Sequence, residues 1–295
     1  MIKLWRYYEI MKIGIVILNY HSKELTENLA KSLSLYPIVT DIVIVDNASG
    51  EDFSKLAAND EKITFISNDK NDGYARGNNI GLRYLYQEKK CEFAFIANPD
   101  VVVPQETIEK IVEFLNVNNQ YAIASSKRYS NTGVKMGQYW NIPTYRECLL
   151  DSFYVYRKRL ATNYAINTTK LLFEGGLKDE YLTVEVVPGA FFGMNLATVA
   201  NVGFLDEETF LYYEENILAV KLKNHNYKSA ILVNCTYEHN HKAGNARNTN
   251  YKFYLSAKLY YAKQYLKCKK FKMFLLRLGN LWCTLEKKIQ ALLKK

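Results

Sequence analysis

Side chains that could do chemistry cluster in five short segments: Val45-Asp46-Asn47-Ala48-Ser49, Asn71-Asp72-Gly73-Tyr74-Ala75-Arg76-Gly77-Asn78-Asn79, Ala97-Asn98-Pro99-Asp100, Pro188-Gly189-Ala190-Phe191-Phe192 and Tyr212-Tyr213-Glu214-Glu215. Asp100 offers the hard oxygen that a divalent cation takes when it shares its shell with water and phosphate oxygens. Asn-Pro-Asp is also the composition of a plain turn. Glu214 and Glu215 stand where a helix begins. A carboxylate there can act as a general base, and two first-turn acids also complement the helix dipole. His239 and His241, in Glu238-His239-Asn240-His241-Lys242-Ala243-Gly244, are either metal ligands or exposed loop residues. Gly73, followed by Arg76 and Asn78 at a helix start, reads as an anion cradle or as an ordinary glycine-containing loop.

The elements that must position these groups alternate along the chain. Ile13–Leu18 is a short, nearly continuous apolar run, as a strand buried on both faces requires. Ser22 is placed to cap a helix to about Leu35. Asp41–Val45 reads as a second strand, Phe53–Ala58 as a helix, Ile63–Ile66 as a third strand, Tyr74–Lys89 as a helix and Phe93–Ile96 as a fourth strand. Pro104 suits the first turn of a helix over Glu106–Leu115. This alternation predicts an α/β fold with a mainly parallel central sheet flanked by helices. Ligands of such sheets bind beyond the carboxyl ends of the strands. Asn19-Tyr20, Asp46-Asn47, Asn68-Asp69 and Asn98-Pro99-Asp100 each follow one of the four runs, so they fall on one edge. From Lys127 to about Val186 the pattern loosens into a stretch rich in Tyr and Arg, with no safe periodic reading. Regularity returns at Pro188–Phe192, in a helix from Glu215 to about Lys223, and in a strand near Ala230–Val233.

The chain has 295 residues and 48% hydrophobic content, enough for one large α/β domain. Five cysteines, an odd number without close pairs, suggest neither a disulfide framework nor a zinc cluster. A reducing compartment, the cytoplasm, is the expectation, since the apolar start is short for a secretory signal and no run is long enough for a membrane span. Charge is uneven. Residues 252–295 hold 12 of the 39 Lys and Arg but only one of the 30 acids, Glu286, for a net of +11, and the rest of the chain is close to neutral at −2. Phe271, Phe274, Leu275, Leu278, Leu281, Trp282, Leu285, Ile289 and Leu292 recur at helical spacing there, so the tail reads as a basic amphipathic helix. Two readings stand: contact with a membrane surface, peripheral on its cytoplasmic side, or packing on the domain with solvated lysines.

Taken in order, the five segments resemble the inverting family 2 of glycosyltransferases, and especially its bacterial rhamnosyltransferase-like members, over residues 12–245. The resemblance implies a GT-A fold, Rossmann-like, over residues 12–250, with residues 1–11 as an N-terminal extension and 251–295 as the helical basic extension. It implies a nucleotide-sugar donor, dTDP- or UDP-linked, with Asp46 on N3–H of the base, Asn19 and Tyr20 lining that pocket, and Asn47 beside it. Gly73 would let the backbone approach the donor, next to Tyr74, Arg76 and Asn78, and Gly189 and Ala190 complete the donor-binding set. Asn98 replaces the first acid of the family's metal motif, leaving Asp100 as the main carboxylate on Mg²⁺ or Mn²⁺. His241 fits the family's His-x-x-Gly spacing better than His239. Glu215 falls at the position of the catalytic base, with Glu214 before it. Ile217 and Lys221 stand where the family often has Asp and Arg. The implied reaction moves a hexose or deoxyhexose, rhamnose first, to a growing surface glycan or polyprenyl-linked acceptor, and the 127–186 stretch is the candidate for acceptor recognition.

Other classes fit less well. A nucleotidyltransferase needs a glycine- and basic-rich loop after the first strand, and Asn19-Tyr20-His21-Ser22 is not one. GxGxxG after that strand and GxxxxGK are both absent, which sets aside dehydrogenases and P-loop enzymes. A non-catalytic nucleotide-sugar binder or scaffold of a polysaccharide-assembly complex remains the alternative. Nucleic-acid binding is disfavoured because the tail's aromatic residues sit at helical core spacing.

Overall fold

The computed structural model describes residues 11–136, 138–153, 156, 171–172, 180–240 and 251–292. The first half is β1 (Ile13–Asn19), α1 (Lys23–Ser34), β2 (Asp41–Asn47), α2 (Ser54–Ala58), β3 (Ile63–Asn68), α3 (Tyr74–Gln87) and β4 (Phe93–Ala97). There follow β5 (Val101–Val102), α4 (Gln105–Val117), β6 (Tyr121–Tyr129), α5 (Tyr145–Leu150), β7 (Tyr181–Val184), β8 (Phe191–Asn195), α6 (Leu196–Asn201), α7 (Glu214–Asn224), β9 (Lys228–His239), α8 (Tyr251–Gln264) and α9 (Lys270–Leu292).

The strands form one sheet in the order β3-β2-β1-β4-β8-β6-β9-β5, with β7 also on β9. β1, β2, β3, β4, β6 and β9 point one way, while β5, β7 and β8 run against them. β1 is apolar throughout because both its faces are covered. Ile13, Ile15 and Ile17 belong to one buried cluster with Leu29 and Leu33 of α1 and Ile108 and Ile111 of α4, whereas Val16 belongs to the other, with Leu82 and Leu85 of α3 and Leu218 and Leu222 of α7. Helix α3 lies against β1 over a glycine stripe. A Cβ on Gly77 would come within 2.5 Å of Leu18 Cδ1, and one on Gly81 within 2.6 Å of Val16 Cγ1. Val16 has little χ1 freedom to yield. Gly81→Val is therefore expected to cost about 1–3 kcal/mol by overpacking, read as a lowered denaturant midpoint with an unchanged slope.

Several expectations are corrected in detail. Ser22 occupies the N-cap of α1, yet its hydroxyl donates to the Tyr20 carbonyl (3.2 Å) instead of capping. Pro104 is the N-cap residue, and α4 begins at Gln105. Met11, placed in the extension by the sequence reading, is buried in the core. The basic tail is two helices, broken at Lys267 (φ 51°). α8 packs on the body through a third apolar cluster that joins Ala257 and Tyr261 to Cys148 of α5 and Ile217 of α7. Lys258, fully buried in α8, is neutralised by Asp151 (3.2 Å) and also donates to Ser152 (3.1 Å).

Candidate active site

Strand register brings the polar strand ends to one edge. Asn19 pairs with Asp46, Asn47 with Asn68, and Ile17 with Ala97, so Asn98 follows directly. Asn19 is buried and its amide donates to Asp46 (2.8 Å), Ser49 (3.1 Å) and Glu51 (2.8 Å), while its Oδ1 accepts from Thr26 (2.8 Å). Asp46, 1% exposed, accepts from Asn19 and the Ser49 hydroxyl on one oxygen and from the Ser49 and Gly50 N–H groups on the other (3.0 and 3.1 Å). Its carboxylate thus ties down the loop after β2. The Ser49 hydroxyl is the one donor there that can rotate away. Asn47 donates to Asn71 (2.9 Å) and to the Gly73 carbonyl (3.2 Å). Tyr20 is half exposed, its ring against His21.

The start of α3, read from the sequence as an anion cradle, is tied to the chain around it. Gly73 has φ +92°, a conformation that favours glycine, and a Cβ there would collide with the Phe210 carbonyl. That same carbonyl accepts from the Tyr74 N–H (2.9 Å). The close approach that Gly73 permits is to the chain itself. Asn78 is fully buried and donates back to the Tyr74 carbonyl (2.9 Å). Arg76 pairs with Glu207 (3.5 Å) and Asp72 (4.0 Å), and Glu207 also takes Arg83 (2.5 Å) and Asn79 (2.8 Å). Arg76 and Asn78 thus both contact the surroundings of α3, yet Arg76 Nε and Asn78 Oδ1 are buried without a hydrogen-bond partner among the described residues.

Tyr74, Gly189 and Glu215 form the centre of the site. The Tyr74 hydroxyl donates to the Gly189 carbonyl (2.6 Å). The Gly189 N–H donates to the Glu215 carboxylate, and a Cβ on Gly189 would overlap Glu215 Oε1, so a larger residue there would push the carboxylate aside. Burial pushes both carboxyls above the ordinary glutamate range. The Glu215 charge raises Glu214 further, well above that range, while backbone N–H groups and the Arg128 guanidinium pull Glu215 back. Glu214 is 2% exposed, and its Oε1 has no hydrogen-bond partner among the described residues. Burial, followed by the charges of Glu215 and Glu214 and more weakly of Tyr237 and Asp100, holds the Tyr74 phenol well above its ordinary value. These acids therefore share one neighbourhood.

The two glutamates are delivered by a strained turn. Tyr212 and Tyr213 are consecutive left-handed residues (φ 77° and 72°), a conformation costing on the order of 1–3 kcal/mol per non-glycine residue. Rings of α8 brace it: Tyr254 meets both tyrosines at 5.7 Å between centroids, and Tyr261 meets Tyr213 at 5.1 Å.

On the neighbouring strand ends, Asn98 N–H donates to the Ala190 carbonyl (2.8 Å), and the Asp100 carbonyl accepts from Asn240 N–H (2.7 Å). The β5–β9 ladder pairs Val101 with His239 and so brings His239 Nε2 to 3.2 Å from Asp100 Oδ1. His241, favoured by its spacing, lies outside the described residues, and His239 is the histidine seen beside Asp100. Among the described residues no cluster of three or more His, Cys, Asp or Glu is poised for a metal. One carboxylate and one imidazole fit a divalent cation whose other positions come from water and phosphate oxygens.

The sequence reading missed Arg128, whose charge reaches Glu215 and also offsets the burial that lifts Tyr237 to about 12. Arg128 ends β6 on the same edge as the other strand ends. Recognising Tyr121–Ser125 as a strand would have singled it out by the same rule that found Asp46. Glu51 and Glu207 carry no sequence signal, since each acts through loop contacts that only the fold creates.

Residues 13–178 match Glycosyl transferase family 2. The low-salt glycan biosynthesis hexosyltransferase Agl10 of Haloferax volcanii is 27% identical over 203 residues, 69% of this chain and 59% of that protein. The chain thus spans about three-fifths of that relative's length. Among solved structures, S. aureus TarS 1–349 superposes with a TM-score of 0.55 at 12% identity, covering 92% of this chain and 71% of that one. The mannosyltransferase PcManGT from Pyrobaculum calidifontis, in complex with GDP-Man and Mn²⁺, gives 0.55 at 14% identity, covering 96% and 78%. GalNAc-T7 with UDP, GalNAc and Mn²⁺ gives 0.58 at 12%, covering 79% and 44%. At these identities the structural likeness speaks for the fold.

Proposed function

The chain belongs to glycosyl transferase family 2 and carries the GT-A fold, and from that premise we propose that it is an inverting hexosyltransferase with Glu215 as its base. The observation that carries this reading is the half-buried Tyr74, whose hydroxyl bonds the Gly189 carbonyl beside Glu215 (2.6 Å) and whose phenol also feels the Asp100 charge, so a base and a metal carboxylate face one region of the sheet edge. Glu215 takes the proton from the acceptor hydroxyl as it attacks the anomeric carbon. Tyr74 stays protonated and holds Gly189, whose N–H orients the Glu215 carboxylate. The donor's uracil or thymine ring takes the hydrogen bond of Asp46 that Ser49 now occupies, with Tyr20 beside it. A divalent cation bound by Asp100 and His239 would neutralise the departing diphosphate.

The donor is a dTDP- or UDP-linked hexose or deoxyhexose, rhamnose first, and the acceptor a growing glycan, polyprenyl-linked, at the cytoplasmic face of a membrane. The glycan-biosynthesis role of the Haloferax relative and the sugar-nucleotide complexes of the structural neighbours support this reading. The test is turnover with Mn²⁺ or Mg²⁺ across a panel of UDP-, dTDP- and GDP-sugars and a synthetic lipid acceptor. Inverted anomeric configuration in the product is expected. Retention, or binding of donors without transfer, overturns the proposal, and transfer only from a GDP-sugar corrects the donor.

A further inference from the structure

Helix α9 is apolar on two opposite sides, and the fold uses only one of them. Met273, Leu276, Asn280 and Cys283, at steps of three and four, are buried against the body. Phe271, Phe274, Leu278, Leu281, Trp282, Leu285 and Ile289 form a second stripe at helical spacing and are all exposed, Phe271 by 71% and Leu281 by 67%. An exposed apolar stripe of this extent marks an interaction surface. Helix α9 is 23 residues long, about 34 Å at 1.5 Å per residue, and the stripe runs nearly its whole length. An open apolar trough of about 570 Å³ between α9 and the end of α5, walled by Leu149, Phe153, Leu278 and Trp282, widens the surface.

The surroundings of the stripe say what covers it. Lys270, Arg277 and Lys288 are exposed, and their seven- and eleven-residue spacing places them in one line along the helix, bordering Phe274 and Leu281. The segment carries a net charge of +11 over residues 252–295. Two copies stacked stripe to stripe would bring two such segments together, so self-pairing is electrostatically opposed. No described helix is long and apolar enough to cross a membrane. A helix with one face anchored to a folded body, the other bare and apolar, and a basic shoulder suits the interface of an anionic bilayer.

We propose that α9 docks the protein on an anionic lipid bilayer, its exposed stripe inserted among the acyl chains and Lys270, Arg277 and Lys288 at the headgroups. α8, which braces the Tyr212-Tyr213 turn, forms the third apolar cluster together with Met273 and Leu276 of α9, so the docking helix is continuous with the support of Glu214 and Glu215.

The test is co-sedimentation of the full chain with vesicles of phosphatidylcholine alone or mixed with phosphatidylglycerol, with Trp282 fluorescence as a second reading. Expected are binding to the mixed vesicles at least ten-fold tighter than to neutral ones, weakened by salt, and a blue shift lost in Trp282→Phe. The double variant Leu281→Ser, Leu285→Ser and the charge reversals Lys270→Glu and Arg277→Glu are each expected to release the protein from the vesicles while melting normally. Equal binding to both vesicle types, retained binding in the stripe variant, or a dimer that the stripe variant dissociates would each overturn the proposal. Transfer to a soluble acceptor by that same variant reads the glycosyltransferase assignment separately, since the stripe lies outside the site.

Discussion

Glu215→Gln is expected to lower kcat roughly 100- to 10,000-fold, the span that a positioned general base contributes, with donor KM changed little. The amide keeps the size of the carboxylate and its acceptor for the Gly189 N–H, so α7 and the melting temperature should be preserved, but it cannot take a proton. Glu214→Gln separates the two acids. Glu214 is almost wholly buried and Glu215 half-buried, held by Gly189 at the sheet edge, so loss of Glu214's charge should cost less activity. If Glu215→Gln turned over at the wild-type rate while Glu214→Gln did not, the base would be Glu214.

The pH profile carries a second signature of the same pair. Both carboxyls are raised from the ordinary 4.5 by burial, so activity should rise with pH along a limb lying above the usual glutamate range. Glu214, raised further by the Glu215 charge, is still protonated while Glu215 titrates, so Glu214→Gln should leave that limb in place. For stability the sign is opposite to that of a salt-bridged acid. The folded state holds these protons more tightly than the unfolded chain, so their contribution is present below 4.5 and is lost as pH rises through the raised folded values. Glu214→Gln should accordingly melt higher than wild type near neutral pH, by an amount that shrinks under acid conditions.

What the sequence disclosed follows the physics of burial. β1, β2 and β4 are covered on both faces, so their apolar runs and the Asn or Asp residues ending them are written continuously in the chain. β6 is different: Ser125 and Ser126 are polar though buried, Ser125 donating to the Phe191 carbonyl (2.6 Å), and Lys127 to Tyr129 then leave the core. A strand that turns polar midway resembles a loop, which hid Arg128. β5 has two residues, yet its pairing with β9 selects His239 as the neighbour of Asp100. Spacing within one segment favours His241, because a ladder between distant segments leaves no local trace. Gly73 reads as a close-approach glycine from its segment alone, but the partner, Phe210, is 137 positions away. In the tail, two apolar stripes on one helix sum to a single periodicity, so only packing distinguishes the stripe that is buried from the one left bare.

Asp100→Ala should lower kcat/KM for the donor roughly 100- to 1,000-fold, corresponding to about 3–4 kcal/mol of lost charge stabilisation. It should do so without loss of fold, since the side chain is only half-buried and the loop is also held by the Asn240 N–H on the Asp100 carbonyl. With Asn98 in place of a second acid, Asp100 and His239 supply two donors where a divalent cation takes about six. Metal affinity should therefore depend on nucleotide. Calorimetry is expected to find weak Mn²⁺ binding to the protein alone and at least ten-fold tighter binding once UDP or dTDP supplies phosphate oxygens, and linkage requires the same factor in nucleotide affinity when Mn²⁺ is added. His239→Ala should reduce that coupling partially and Asp100→Ala abolish it. Tight Mn²⁺ binding to the nucleotide-free protein, or coupling that survives in Asp100→Ala, would mean that the cation is held elsewhere and that Asn98-Pro99-Asp100 is a turn.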